Sequence, residues 1–326
     1  MTLESTKTKI LTTIPQIEDL ANKNGFSLRI TKNSLSLSGN NFSATGEVST
    51  ERIADIKKVR IKIVTSPNKF HDIKREEFMY GFIRKLGYPC PTVILSGGDF
   101  DSEYMFLIRE DMSGSQLRGA SSEVIKSSLP KLTSFFVDLH SHSLDDFGLI
   151  EKIDGKWKGD STTWIDSLEK RARESIFRIQ KMGIQIDHNL FDNLKSILNK
   201  NFDLLNINRG SMLHGDAGLT NFLGDESDLT AIIDPEFAVI GDPAYEFCAR
   251  VGDEEEYSTE FIKNYFSRMK KNNIDVRQES FFKRGTLYSP FIVTNIIYCL
   301  GDADNTKGVE YFLKVLPNEL EKALRI

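Results

Sequence analysis

One short stretch restricts this chain more than any other. His214-Gly215-Asp216-Ala217-Gly218-Leu219-Thr220-Asn221 is followed by Ile232-Ile233-Asp234. An aspartate stands two residues after the histidine and an asparagine five residues further on. A second aspartate ends an apolar run thirteen residues after that. Aspartate and asparagine are ordinary turn residues, so any one of these positions would carry little, but four in register carry a chemistry. Phosphoryl transfer requires a carboxylate that orients the attacking hydroxyl and accepts its proton. It also requires hard oxygen ligands for a Mg²⁺ ion that bridges the phosphates of ATP. Asp216 is the candidate base, and Asn221 and Asp234 are the candidate metal ligands. Strand-like runs at 211–216, 221–225 and 229–235 surround them. A hairpin between Asn221 and Asp234 would bring the two ligands together.

A second element fits the same chemistry. Val59-Arg60-Ile61-Lys62 reads as a strand. Side chains alternate faces along a strand, so Lys62 points away from Ile61 and Ile63. A lysine there can reach ATP phosphates if a glutamate on the next helix holds it as an ion pair. Residues 72–87 have helical period, with Met79, Phe82, Ile83 and Leu86 on one face, and Pro89 and Pro91 beyond. Glu76 lies three and seven residues before Met79 and Ile83, on the packed face. Glu77 lines up with Gly81 and Lys85 on the outer one. The spacing selects Glu76.

The rest of the pattern places these motifs in two lobes. The 326 residues are about twice a usual domain length. A helix over 5–24, with Pro15 kinking or splitting it, precedes strand candidates at 26–30, 42–48 and 58–64. The helix at 72–87 follows, then two further strands up to Glu110. Beyond Asp111-Met112-Ser113-Gly114 the pattern is mostly helical: 121–143, 161–181, 188–206, 242–250, 256–272, 279–300 and 306–325. The prediction is an α+β chain, with a β-rich lobe over 1–110 and a mostly helical lobe over 111–326. Three widely spaced cysteines suggest neither a disulfide framework nor a zinc site. The start of the chain lacks a signal-peptide pattern and no apolar run is long enough to span a membrane, so a cytoplasmic protein is expected. A net charge of −5 argues against a general nucleic-acid binder. The charge divides as +3 over 1–110 and −8 over 111–326. That division suits a phosphate ligand against the first lobe and a cationic one against the second. Glu236, Asp242, Glu246 and Asp253–Glu256 are the acids that would line such a cleft.

His214 to Asn221, with Ile232-Ile233-Asp234-Pro235-Glu236 and Gly241-Asp242-Pro243, resembles the catalytic segment of the aminoglycoside phosphotransferase family. The resemblance runs over about 35–250 and is densest over 211–247. The segment from Asp146-Phe147-Gly148 to Trp164 is similar to hygromycin-type members. The resemblance implies a bilobal protein-kinase-like fold with ATP between the lobes and adenine against the backbone near Arg109–Met112. It implies Mg²⁺ as cofactor and a small-molecule hydroxyl as acceptor, with an aminoglycoside-like cation, an amino sugar or choline as candidates. It makes Asp216 the base, Asn221 and Asp234 the metal ligands, and Lys62 with Glu76 the phosphate-holding pair. Two departures stand out. Glu246 stands where the family often has an aspartate, which points to a bracing role for that element. The turn expected to cover the phosphates is poor in glycine, so Ser38, Asn40 or Asn41 would have to contact them. His140, His142 and Trp164 read as packing or capping residues, and His214 as a brace for the catalytic loop.

Overall fold

The computed structural model describes residues 3–31, 34, 36–38, 41–49, 58–98, 103–248 and 259–326. The first part is a curled antiparallel sheet with one helix on each side. Helix α1 (Leu3–Lys23) leads into strands β1 (Ser27–Ile30), β2 (Ser36–Ser38), β3 (Asn41–Ser49) and β4 (Lys58–Val64). Helix α2 (Phe70–Lys85) follows, then β5 (Val93–Gly97) and β6 (Met105–Glu110). The sheet order is β1-β3-β4-β6-β5, with β2 paired to the free stretch of β3. Along β4 the faces alternate up to Ile63: Val59, Ile61 and Ile63 are buried in one core with Ile14, Ile17 and Ala21 of α1, while Val64 is buried in the larger core on the other side. Each such side chain contributes about 1.5–3 kcal/mol when fully buried. That packing explains why Pro15 neither breaks nor splits α1, which runs unbroken through it: one lost backbone hydrogen bond is offset by the buried isoleucines beside it. Helix α2 ends earlier than its prolines would dictate. Gly87 adopts φ 87°, and the N–H groups of Gly87 and Tyr88 cap the carbonyls of Arg84 and Ile83 at 3.0 and 3.2 Å. The stop is therefore a left-handed glycine, and the prolines merely follow it.

The second part is mostly helical. Strand β7 (Ser115–Gln116) and helix α3 (Ser122–Ser141) precede a hairpin of β8 (Phe147–Ile153) and β9 (Lys156–Ser161). Helices α4 (Trp164–Lys181), α5 (Leu190–Lys200) and α6 (Phe202–Leu205) come next. Short strands β10 (Ser211–Leu213), β11 (Phe222–Gly224), β12 (Leu229–Ile232) and β13 (Val239–Gly241) follow. Helices α7 (Pro243–Cys248), α8 (Thr259–Lys271), α9 (Phe281–Asp302) and α10 (Thr306–Leu324) complete the chain. The short strands form two small sheets, β10-β13-β8-β9 and β12-β11-β7. The hairpin over 147–161 was not expected from the pattern; it turns at Asp154-Gly155, both with positive φ. The helix expected over 188–206 is two helices with a break at Asn201.

The larger core runs through both parts. Phe70, Ile73, Met79, Tyr80 and Ile83 of α2 pack in one cluster with Leu132, Phe135 and Phe136 of α3 and with the strands around the catalytic segment. Helix α2 is thus clamped between the sheet and the helical part. Lys69, just before α2, adds an ion pair to Asp302 of α9 at 2.6 Å. Among the described residues no helix is long and apolar enough to cross a membrane, and Cys90 and Cys299 are free thiols.

Candidate active site

Strand β4 and helix α2 supply one half of the site. With Val59, Ile61 and Ile63 committed to the core, Lys62 falls on the opposite face. Its Nζ lies 2.9 Å from Glu76 Oε2 and also pairs with Glu236. Glu76 is fully buried in α2, where an unpaired carboxylate would be very costly. Its other oxygen accepts from the Tyr80 hydroxyl at 2.9 Å, and Arg109 Nε lies 3.5 Å away. Glu77 turns elsewhere, to Ser96 and Lys74. Burial works to lower the Lys62 pKa, but Glu236, Glu76 and Asp234 outweigh it and hold the ammonium above the ordinary lysine range.

The other half is built on the loops after β10 and β12. The backbone N–H groups of His214 and Gly215 donate to Glu246 at 2.6 and 3.0 Å. Gly215 has φ 80°, and a Cβ there would come within 1.9 Å of the Phe237 carbonyl oxygen, so the turn requires glycine. The buried His214 ring places Nε2 3.0 Å from the carbonyl oxygen of Ile233. The N–H of Ile233 donates in turn to the Asn221 carbonyl at 2.9 Å. This ladder sets the Asp216–Asn221 loop beside Asp234. The Asn221 amide nitrogen donates to the backbone oxygen and to Oδ2 of Asp216 at 2.9 and 2.8 Å. Asp234 adopts φ 54°, its N–H donates to the Tyr80 hydroxyl at 3.1 Å, and its Oδ1 accepts from Arg109 at 2.9 Å. Burial would raise the Asp234 pKa, but Arg109 and Lys62 prevail and keep it below the usual carboxylate value. Tyr80, Glu76 and Arg109 thereby tie the Lys62 half to the Asp234 half.

Residues of both halves line a cleft of about 410 Å³, though Asp216 and Asn221 are not among them. Lys62, Arg109, Asp234 and Glu236 form one wall, and Ser36, Phe42 and Ser43 of the β2–β3 hairpin cover it. Asp111, Met112 and Gly114, between β6 and β7, close the back. Asn40 lies outside the described residues, as does Asp253–Glu256. Ser38 and Asn41 pair across the end of the hairpin, and their side chains are not described. The other acids expected in the cleft are otherwise engaged. Asp242 is buried, held by Arg284 at 2.5 and 3.1 Å and by the Tyr288 hydroxyl at 2.8 Å. Glu246 is buried beneath the catalytic loop and Glu236 pairs with Lys62. His140 bonds Tyr265 in the core, His142 closes α3, and Trp164 is buried with its Nε1 on Tyr288.

Two participants are not legible in the sequence. Arg109 ends the apolar run of β6, and only the β4–β6 register, which sets it across from Arg60, turns it into the site. Tyr80 reads as one more apolar residue of α2. Glu236, expected as a cleft acid, does line the cleft, but it pairs with Lys62.

Asn221 and Asp234 are a fitting donor set for Mg²⁺. The Asn221 nitrogen is committed to Asp216, so its side-chain oxygen is the atom that would face a cation, and Arg109 and Lys62 favour the charged form of Asp234. Mg²⁺ commonly takes one or two protein oxygens and completes its shell with water and phosphate. Among the described residues no group of three or more His, Cys, Asp or Glu could hold a metal.

A family model described as "Phosphotransferase enzyme family" matches residues 47–271. No curated protein matches the sequence. Among solved structures, aminoglycoside phosphotransferase APH(4)-Ia superposes with a TM-score of 0.65 at 15% identity, over 96% of this chain and 99% of that one. A mutant of that protein was solved with ADP and hygromycin B, at a TM-score of 0.64 and 15% identity over 94% and 97%. A putative fructosamine-3-kinase from Haemophilus somnus 129PT gives a TM-score of 0.67 at 17% identity, over 94% and 95%. At such identities these likenesses are of fold: the bilobal, kinase-like arrangement of a β-rich first part and a helical second part.

Proposed function

The chain belongs to the phosphotransferase enzyme family, and from that premise we propose that it moves the γ-phosphoryl group of ATP onto a hydroxyl of a small molecule. The observation that carries this reading is that the Lys62–Glu76 pair and Asp234 are tied together by Tyr80 and Arg109 beside one cleft, with the Asp216–Asn221 pair held next to Asp234 by the Ile233–Asn221 backbone bond. ATP would lie in that cleft, its base against the backbone of 109–112. Lys62 would take the α/β-phosphates, exchanging its contact with Glu236 for them while Glu76 stays in place. Asn221 and Asp234 would hold Mg²⁺, which when bound neutralises charge on the phosphates. Asn221 fixes the Asp216 carboxylate, which accepts the acceptor's hydroxyl proton as the new O–P bond forms and ADP leaves. Positioning and charge neutralisation supply most of the rate in such chemistry.

A cationic, aminoglycoside-like acceptor is the second reading. The charge of −8 over 111–326 favours it, and a related fold has been solved with hygromycin B. A nucleotide-binding module without turnover is disfavoured, because Lys62, Glu76, Asp216, Asn221 and Asp234 are all present. The test follows ADP release from ATP and Mg²⁺ with a panel of acceptors: polyols, hydroxy acids, amino sugars, choline and aminoglycosides. Acceptor-dependent release with a phosphorylated product is expected. Tight nucleotide binding with no release for any acceptor would favour the binding module.

A further inference from the structure

A second cavity, of about 320 Å³, lies on the far side of Glu236 and Phe237 from the nucleotide cleft. Helices α2, α4 and α9 and strand β8 enclose it. It adjoins the catalytic loop. Phe237 lines the cavity while its carbonyl packs against Gly215, and Cys299, next to the lining residue Tyr298, is within electrostatic reach of Asp216 and Glu236. Burial pushes the Cys299 thiol up to about 12, so it contributes no charge there.

The charges around this cavity divide into two groups. Arg75, buried at the α2 side, is already neutralised. It pairs with Asp72 at 3.0 Å and Glu151 at 3.5 Å, and it donates to the carbonyls of Ile150 and Glu236 at 2.8 and 2.6 Å. It is a brace for the catalytic segment. His71 faces Glu151 at 3.7 Å. Arg171 and Arg178 differ. They stand seven residues apart on α4, two turns along one face, and both line the cavity. Neither has a carboxylate within 4 Å among the described residues. Arg171 lies 5.5 Å from the Tyr245 ring, and its Nη1 is buried with no hydrogen-bond partner. Arg178 lies 5.3 Å from the Tyr298 ring and reaches that hydroxyl at 3.3 Å. Glu174, between them on the helix and exposed, lines the cavity too but lies within ion-pair distance of neither.

Two guanidinium groups with no carboxylate within 4 Å among the described residues, one of them with an unmet buried donor, leave a place for an anion beside the single carboxylate, Glu174, that lines the cavity between them. Planar guanidinium groups match carboxylate and phosphate oxygens in particular. We propose that this cavity seats the acceptor, and that Arg171 and Arg178 recognise an anionic group, carboxylate or phosphate, carried by the hydroxyl-bearing molecule. The proposal rests on the kinase reading and specifies the acceptor for it.

The experiment titrates four three-carbon probes into the full-length protein loaded with AMP-PNP and Mg²⁺. They are glycerate, glycerol 3-phosphate, neutral glycerol and cationic 2-amino-1,3-propanediol. Binding is read by NMR line changes at constant ionic strength. At least one anionic probe is expected to bind about tenfold or more tightly than glycerol, and comparing the two anions separates carboxylate from phosphate. Arg171→Gln and Arg178→Gln should each erase that preference while AMP-PNP affinity stays unchanged. No preference for an anion, preference for the cationic probe, or an anion preference that survives in both variants would overturn the proposal. Failure of AMP-PNP to bind at all would count against the kinase reading instead.

Discussion

At the scale of single residues, the site depends on how few side chains satisfy many demands. Tyr80 donates to Glu76 and accepts from the backbone of Asp234, so one hydroxyl fixes both the lysine-holding carboxylate and the candidate metal ligand. Asn221 uses its nitrogen on Asp216, which leaves the oxygen for a cation. This division yields a prediction. Asn221→Ala and Asp234→Ala should each weaken binding of Mg·ATP by about tenfold or more, while metal-free ATP changes little, because only the metal complex uses these oxygens. Calorimetric titrations with and without Mg²⁺ check it; equal losses in both would mean that the substitutions damage the fold and not a metal site. The sequence made this part of the site readable because its spacing is local: Asp216, Asn221 and Asp234 lie within one short segment. Lys62 and Glu76 were readable from alternation and helical period. Arg109 was not, since its role depends on strand register across 125 residues of chain to Asp234.

Elements show the same rule at larger size. Strands and helices with a clear period were legible, among them β4, α2, α3, α4, α9 and α10. The β8–β9 hairpin was missed because its residues mix charges with apolar positions and flank a longer helical pattern. Yet Asp154-Gly155 is a strong turn signal, and β8 brings Ile150 to Arg75 and so helps brace the catalytic segment. Bracing from the other side comes from α7 and α9. Asp242, just before α7, holds Arg284 and Tyr288 of α9 with both partners buried. Breaking a buried pair leaves an uncompensated charge, which costs about 3–5 kcal/mol. Asp242→Ala is therefore expected to lower unfolding stability by about that amount in urea denaturation. The double replacement Asp242→Leu with Arg284→Met should recover much of the loss. A single substitution costing under about 1 kcal/mol would show that this pair does not hold the loop's foundation.

For the molecule as a whole, the division into a β-rich first part and a helical second part was legible, but the assembly of the two was not. Helix α2 belongs to the first part by sequence and yet shares the larger core with α3. Lys69 and Asp302 join the two parts again beside the acceptor cavity. The charge asymmetry was legible too, but it does not by itself say which acids meet the acceptor. Asp242 and Glu246 are consumed inside the protein, and Glu236 is consumed by Lys62. Net charge reports on surface fields, not on which carboxylates reach a cleft. The central proposal is that one carboxylate, Asp216, serves phosphoryl transfer beside a cleft lined by residues of both parts. The most direct test compares kcat and nucleotide affinity in wild type and Asp216→Asn, with whichever acceptor supports ADP release. The account predicts a loss of kcat of about 10²-fold or more, with ATP affinity and unfolding temperature nearly unchanged. A variant that keeps more than about a tenth of wild-type kcat would contradict it.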